Sequence, residues 1–222
     1  MYRPAHRRNA KFMIAVALIA IALPSARAAA QEGASGPNGY TAADVTFMQG
    51  MIIHHAQAVV MSDWAPTHGA EPSLLILCKR IALSQRDEIN LMQRWLEERH
   101  LPAPDPLHML QKNPGPVVDR SSMHMPGMDM GDRPMMMSGM LSPEEMRQLD
   151  ASHDKTFDRL YLTGMLKHHQ GALDMVATLD ATPGAGQQSE ISGYATDIDA
   201  SQRAQMTRME ALLKNLNPSG TK

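Results

Sequence analysis

The chain has 222 residues, a formal net charge of −2 and 43% hydrophobic residues, of which few are aromatic. This length suits one domain, and no basic patch is large enough to favour nucleic acid as a partner. Cys78 is the only cysteine, which excludes an intramolecular disulfide. Methionine, with 20 residues, is unusually frequent and has to be explained.

Residues 1–28 have the pattern of a secretory signal peptide. A basic segment is followed by twelve apolar residues, Phe12 to Leu23, and then by small residues near position 28. The apolar run is too short to span a bilayer, which takes about 20 residues. Removing residues 1–28 takes away five positive and no negative charges, so the net charge falls from −2 to −7. We therefore expect an exported protein, most simply periplasmic, without a stable membrane anchor.

The first half of the remaining chain predicts two helices. Thr41, with Asp44 three residues later, is a suitable N-cap, and helical periodicity continues to about Trp64. Proline and glycine residues interrupt the pattern, and a second helix is predicted from about Ser73 to His100. Residues 41–100 therefore form the first predicted hairpin.

Residues 101–141 are rich in proline and methionine and predict a mobile linker rather than a regular element. The second half, residues 142–215, begins with Ser142-Pro143-Glu144-Glu145, a strong helix start. Its first helix is predicted to run on to about Leu179. A last helix is predicted from about Ser189 to Asn215.

A fifteen-residue block occurs twice, beginning at Phe47 and again 114 residues later at Tyr161. Six positions are identical, and they include one glycine, two adjacent histidines and two methionines. The final helices of the two halves also share a Ser-Gln-Arg segment followed by apolar residues. Two related helix pairs, each with one apolar stripe, can bury those stripes only against each other. The sequence thus predicts an all-α four-helix bundle in one domain, residues 41–215.

Helical phase predicts where the histidines lie. His55 and His169 fall in the middle of the apolar face, each one turn after a methionine, whereas His54 and His168 fall on the flank, where we expect solvent to reach them. Gln85 and Gln202 on the partner helices also face the core, with Glu88 and its counterpart Gln205 near the edge. One interpretation is a structural layer in which the central histidines and glutamines satisfy one another by hydrogen bonds.

The alternative interpretation is a site for a soft metal ion. Imidazole and thioether ligands together favour Cu(I), with Ag(I) as its mimic, over Zn(II) or Mg(II). Residues 123–140 add eight methionines on the linker, where closely spaced thioethers could capture the same ion. The candidate ligands in the helices are Met48, Met51, His54, His55, Met61, Met165, His168, His169 and Met175. Those in the linker are Met123, His124, Met125, Met128 and Met130.

These blocks resemble the exported ferritin-like family catalogued as domain of unknown function 305. The resemblance rests on Gly-Met-Ile-Ile-His54-His55 with Met61, and on Gly-Met-Leu-Lys-His168-His169 with Met175. It covers most of residues 41–215 and implies the same four-helix fold. Some members resemble periplasmic copper-binding proteins that use methionine and histidine ligands and support copper tolerance. This chain departs from the common pattern at Ala56, where a polar residue is usual.

Three functional hypotheses follow. The first is a periplasmic protein that binds Cu(I) or Ag(I), with Cu(II) as a further candidate, and that sequesters the ion or delivers it to other copper-handling envelope proteins. The second is a structural or interaction protein of the envelope without a metal. The third, a di-metal oxidase, would require inward carboxylates and paired Glu-x-x-His motifs. The one match, from Glu97 to His100, lies at a helix end, so we expect no enzymatic activity.

Overall fold

The computed structural model describes residues 39–107 and 137–216. The predicted signal peptide and the linker ligands from Met123 to Met130 lie outside these residues. Five helices and no strand occur in the described part. They are α1 (Ala42–Trp64), α2 (Pro72–Glu97), α3 (Pro143–Asp150), α4 (Asp154–Ala181) and α5 (Ser189–Leu216). The prediction of an all-α fold is confirmed.

Local sequence signals explain where the helices begin. The Thr41 hydroxyl and the Asp44 carboxylate close a capping box at the start of α1, and Asp44 also accepts from the Gly186 backbone NH at 2.7 Å. Ser142 and Glu145 form a second capping box before α3, with proline at the first helical turn. These contacts satisfy backbone NH groups that lack a partner within the helix.

The predicted continuous helix from residue 142 to about 179 is wrong. The chain leaves helical geometry at residues 151–153, between α3 and α4. The Ser152 hydroxyl donates to the Leu149 carbonyl at 2.7 Å, which ends α3. Asp154 then adopts a positive φ of 53° while its NH donates to the His68 carbonyl at 2.8 Å. A tertiary contact with the α1–α2 loop therefore breaks the helix at a place that local periodicity does not mark.

The four long helices form a bundle built from two hairpins. Helix α1 packs against α2, α4 packs against α5, and the hairpins meet through α1 with α4 and α2 with α5. Two apolar clusters fill the core. One contains Phe47, Trp95 and Ile191, and the other contains Ile81, Phe157 and the buried free thiol of Cys78.

A polar layer separates the two clusters. Helices α2, α4 and α5 each contribute apolar residues to one cluster before the layer and to the other cluster after it, whereas α1 contributes to both clusters beyond His55. We define the polar layer by the eight residues at these crossings: His54, His55, Gln85, Glu88, His168, His169, Gln202 and Gln205. Six of them, all except Glu88 and Gln205, are buried. The layer therefore lies midway along the bundle, with apolar core on both sides.

Residues 137–141, which we call the strap, pack on the bundle at the end of the predicted linker. Gln57 binds both polar backbone groups of Leu141, donating to its carbonyl at 3.0 Å and accepting from its NH at 2.8 Å. The Ser138 hydroxyl donates to Asp174 at 2.8 Å. Met140 and Leu141 are buried. The sequence assigned these five residues to the mobile linker, but the structure makes them part of the folded domain.

A candidate metal centre in the polar layer

His54 and His168 face each other where α1 meets α4. Their ring centroids are 3.8 Å apart, and neither side chain is exposed to solvent. Nε2 of His54 donates to the Ser138 carbonyl of the strap at 3.0 Å, and Nε2 of His168 donates to the His54 carbonyl at 2.9 Å. The prediction of solvent-accessible flanking histidines is therefore wrong. The flank of each apolar face is the contact between hairpins, and the strap covers it.

His55 and His169 lie at corresponding places in the two hairpins and make corresponding hydrogen bonds. Nε2 of His55 donates to a carboxylate oxygen of Glu88 at 2.6 Å, and Nε2 of His169 donates to Oε1 of Gln205 at 2.6 Å. The sequence correctly pairs Glu88 with Gln205 as counterparts. The predicted hydrogen bonds from these histidines to Gln85 and Gln202 are absent from the described structure. Nε2 of each histidine instead donates to Glu88 or Gln205, which lies one turn further along the partner helix.

Eight buried polar atoms of the layer have no hydrogen-bond partner among residues 39–107 and 137–216. They are Nδ1 of the four histidines and both amide atoms of Gln85 and Gln202. Such atoms cost about 1–3 kcal/mol each when left unpaired. Carbonyl oxygens can only accept, so Nε2 of His54 and of His168 must carry the proton. In a neutral ring Nδ1 then has a free lone pair, which is the form that binds metal ions.

Burial keeps these rings neutral. Desolvation, followed by the charge of the neighbouring His55, lowers the pKa of His54 to about 3, although the hydrogen bond to the Ser138 carbonyl opposes the shift. Desolvation also lowers the pKa of His169 to about 4, against the hydrogen bond to Gln205. The pKa of His168 lies well below its ordinary value for the same reason, reinforced by the charge of His54. A neutral histidine does not repel an approaching cation and has a lone pair to offer it.

The predicted methionine ligands lie on both sides of the layer. Met48 and Met51 belong to the cluster at one side, and Met61 and Met165 belong to the cluster at the other. All four side chains are fully buried. The sequence places Met51 one turn before His55 and Met165 one turn before His169, and the structure keeps this relation on α1 and α4.

Met175 is half-buried, and Met137 approaches the same part of α1. The sequence counts Met137 among the linker thioethers but does not place it beside the ligands in the helices. We call Met137 and Met175 the rim methionines. A Cβ atom built on Gly50 would lie 3.4 Å from Sδ of Met137 and 3.4 Å from Cε of Met175, so both side chains converge on the α1 backbone. Gly50 is one turn before His54. Met137 immediately precedes Ser138, whose carbonyl accepts from His54. The strap therefore brings the thioether of Met137 to the same part of α1 as that of Met175. The sequence could not show this, because it depends on how the strap docks.

Within the described residues, no group of three or more His, Cys, Asp or Glu side chains could hold a metal ion. A site in the polar layer would therefore need ligands of another type. Thioethers are the available donors, and they form bonds of useful strength mainly with soft ions. The residues present thus fit Cu(I) or Ag(I) better than Zn(II) or a di-iron centre.

The burial of the flanking histidines carries a stability prediction for the metal-free protein. We expect His54→Ala combined with His168→Ala to lower the free energy of unfolding by about 3–5 kcal/mol, since it leaves a cavity between the hairpins. This loss should equal or exceed that of His55→Ala with His169→Ala. Urea unfolding of both double variants tests the ranking. Near-wild-type stability of the first pair would mean that the hairpin contact does not depend on these rings.

The fold and the layer define a class of protein: an all-α bundle of two related hairpins that meet around buried histidines. The family model described as domain of unknown function (DUF305) matches residues 44–213, and the chain belongs to this family. The resemblance of the repeated His-His blocks to this family is thereby confirmed. In the described parts of the chain, no helix is both long enough and apolar enough to cross a membrane.

Solved structures share the fold. A DUF305 fragment from Deinococcus radiodurans is 26% identical, with 79% of this chain and 98% of that chain covered and a TM-score of 0.60. A DUF305 protein from Streptomyces coelicolor, assigned as secreted, is 25% identical over 78% of this chain and 93% of that chain, with a TM-score of 0.60. CopM in its Cu(II)-bound form is 26% identical over 78% and 96%, with a TM-score of 0.52.

A curated relative matches a shorter stretch. An uncharacterised protein of Acanthamoeba polyphaga mimivirus is 40% identical over 58 residues, which is 26% of this chain. This chain spans only 38% of the length of that relative. The match therefore adds a sequence relation without adding a function.

Proposed function

We propose that this protein binds Cu(I) or Ag(I) through the polar layer. The observation that carries the proposal is the pair of buried Nδ1 atoms of His54 and His168, which no described residue satisfies, between two methionine-lined clusters. A purely structural layer would pair such atoms, because each unpaired atom costs stability. The similarity to CopM, which has a Cu(II)-bound form, supports the same direction.

Histidines and methionines would contribute different ligand atoms to a bound soft ion. His54 and His168 would supply Nδ1 lone pairs where the hairpins meet, and the carbonyls that accept from Nε2 hold each ring in the required tautomer. The core methionines would supply thioethers from the two apolar clusters on either side of the polar layer. Met137 and Met175, which are only half-buried, would be the first thioethers that an ion meets on its way in.

The biological role that suits this chemistry is sequestration or delivery of copper outside the cytoplasm. The N-terminal signal pattern supports export, most simply to the periplasm. Binding without chemical turnover is the proposed activity, so we do not expect an enzyme. Partners would be other copper-handling proteins of the envelope, to which a singly charged ion could be passed between thioether ligands.

Native mass spectrometry of the full protein with Cu(I) under a reductant tests the proposal. We expect at least one Cu(I) to stay bound against a weak competing chelator, and Zn(II) to bind less tightly. Absence of Cu(I) retention, or a preference for Zn(II), would contradict the proposal. In that case the alternative of a metal-free structural or interaction protein of the envelope becomes the better explanation of the layer.

A double substitution of Met137 and Met175 tests their part in Cu(I) binding directly. We expect Met137→Leu with Met175→Leu to slow Cu(I) uptake and to weaken Cu(I) binding about tenfold, with little change in melting temperature, since leucine conserves most of the volume. Met146→Leu is the matched control, because Met146 is buried in α3 within an apolar cluster and is not part of the polar layer. Equal uptake by the rim variant and the control would remove Met137 and Met175 from the pathway.

A further inference from the structure

The two halves of the polar layer differ in charge although they agree in geometry. His55 and His169 each donate from Nε2 over 2.6 Å to an oxygen on the neighbouring helix. In the first hairpin that oxygen belongs to the carboxylate of Glu88, and in the second it belongs to the neutral amide of Gln205. A symmetric repeat thus contains one asymmetric charge at the position that touches a candidate ligand.

The Glu88 carboxylate is held firmly inside the bundle. Its second oxygen accepts from the Ser84 hydroxyl at 3.1 Å and from the Ser201 hydroxyl of the other hairpin at 3.3 Å. Burial alone would raise the pKa of Glu88, but the hydrogen bonds from His55, Ser84 and Ser201 outweigh burial and lower it. The side chain is 17% exposed, so the negative charge lies within the polar layer rather than in bulk solvent.

A fixed carboxylate matters most to an ion with a high charge. Imidazole and thioether ligands are neutral, so an ion bound by them keeps its whole charge in a medium of low dielectric constant. The desolvation penalty of that charge is far larger for a doubly charged ion than for a singly charged one. A carboxylate that accepts from a ligand histidine also raises the basicity of the ring, and loss of such a partner costs about 10–100-fold in metal affinity.

We propose that Glu88 is a specificity-determining residue that makes the first half of the layer a site for a doubly charged ion such as Cu(II), whereas the second half, with Gln205, accepts only singly charged ions. This inference rests on the proposed function, because it assumes that the layer binds metal. It adds, in one half of the layer, a capacity for a doubly charged ion that the neutral imidazole and thioether ligands by themselves do not favour. The residue acts through His55 and is therefore a positioning residue, not itself a ligand.

Two charge-swapping variants of the full protein test the inference with Cu(II) and with Ag(I), which does not change oxidation state. Glu88→Gln should lower Cu(II) affinity about 10–100-fold and change Ag(I) affinity by much less. Gln205→Glu should create a second Cu(II) site, visible as a doubled Cu(II) signal in electron paramagnetic resonance. Glu97→Gln at the exposed end of α2 is the matched control for removing one negative charge.

The outcomes separate the two proposals. If the wild-type protein binds neither ion, the proposed function fails. If it binds Ag(I) and Cu(II) but Glu88→Gln behaves like Glu97→Gln, only the role of Glu88 is overturned. A melt of each metal-free variant checks folding. Should Glu88→Gln fail to fold, the test rests on Gln205→Glu. If that variant binds the same number of Cu(II) ions as the wild-type protein, the inference is overturned.

Discussion

Lowering the pH of the metal-free protein from 7 to 5 should reduce its free energy of unfolding by about 5 kcal/mol. The folded state keeps His54 and His169 neutral, with pKa values of about 3 and about 4, and the pKa of His168 is also well below its ordinary value. In the unfolded chain each would titrate near a pKa of 6.5. Between these values the unfolded state binds more protons, so stability is full above pH 6.5 and falls as the pH drops towards 4.

Chemical denaturation at a series of pH values measures this slope, which should approach three protons, or about 4 kcal/mol per pH unit, near pH 5. A loss of that size is comparable with the whole stability of many domains. His169→Gln should reduce the slope by about one proton, because glutamine does not titrate. A stability that stays flat between pH 7 and pH 5 would show that the histidines become protonated without unfolding the layer.

Gly171→Ala should destabilise the protein by about 3 kcal/mol. A Cβ atom on Gly171 would lie 2.0 Å from the Ser138 carbonyl oxygen and 2.7 Å from Cα of Gly139, and both contacts are with backbone atoms that cannot rotate away. The strap would have to lift from α4. His54 would then lose its Nε2 acceptor, and a path for water into the layer would open.

Thermal unfolding measures the effect, and the expected fall in melting temperature is roughly 6–12 °C for a domain of this size. Gly193→Ala on α5 is the control. Apart from its chain neighbours and the local backbone of α5, no described atom lies within 4 Å of a Cβ at that position, so the substitution should stabilise the helix by about 0.5–1 kcal/mol. Equal melting temperatures of the two variants would mean that the strap can move away from α4 without loss of stability and does not keep solvent out of the polar layer.

The sequence alone determined the helices and most of the core. Periodicity and caps such as Thr41 with Asp44 are local signals, because they depend on residues within one or two turns of the same helix. They predicted α1, α2 and α5 to within a few residues. The repeat added the hairpin pairing, and the central positions of His55 and His169 followed from helical phase.

Only the tertiary structure decided the break before Asp154, the burial of His54 and His168, and the docking of the strap. Each depends on groups far apart in the chain: the His68 carbonyl for the break, the contact between α1 and α4 for the histidine pair, and Gln57 with Gly171 for the strap. Helical phase describes one face of one helix. A second buried face arises only when another hairpin and a backbone segment cover it, and this contact turns two predicted surface histidines into the centre of the candidate site.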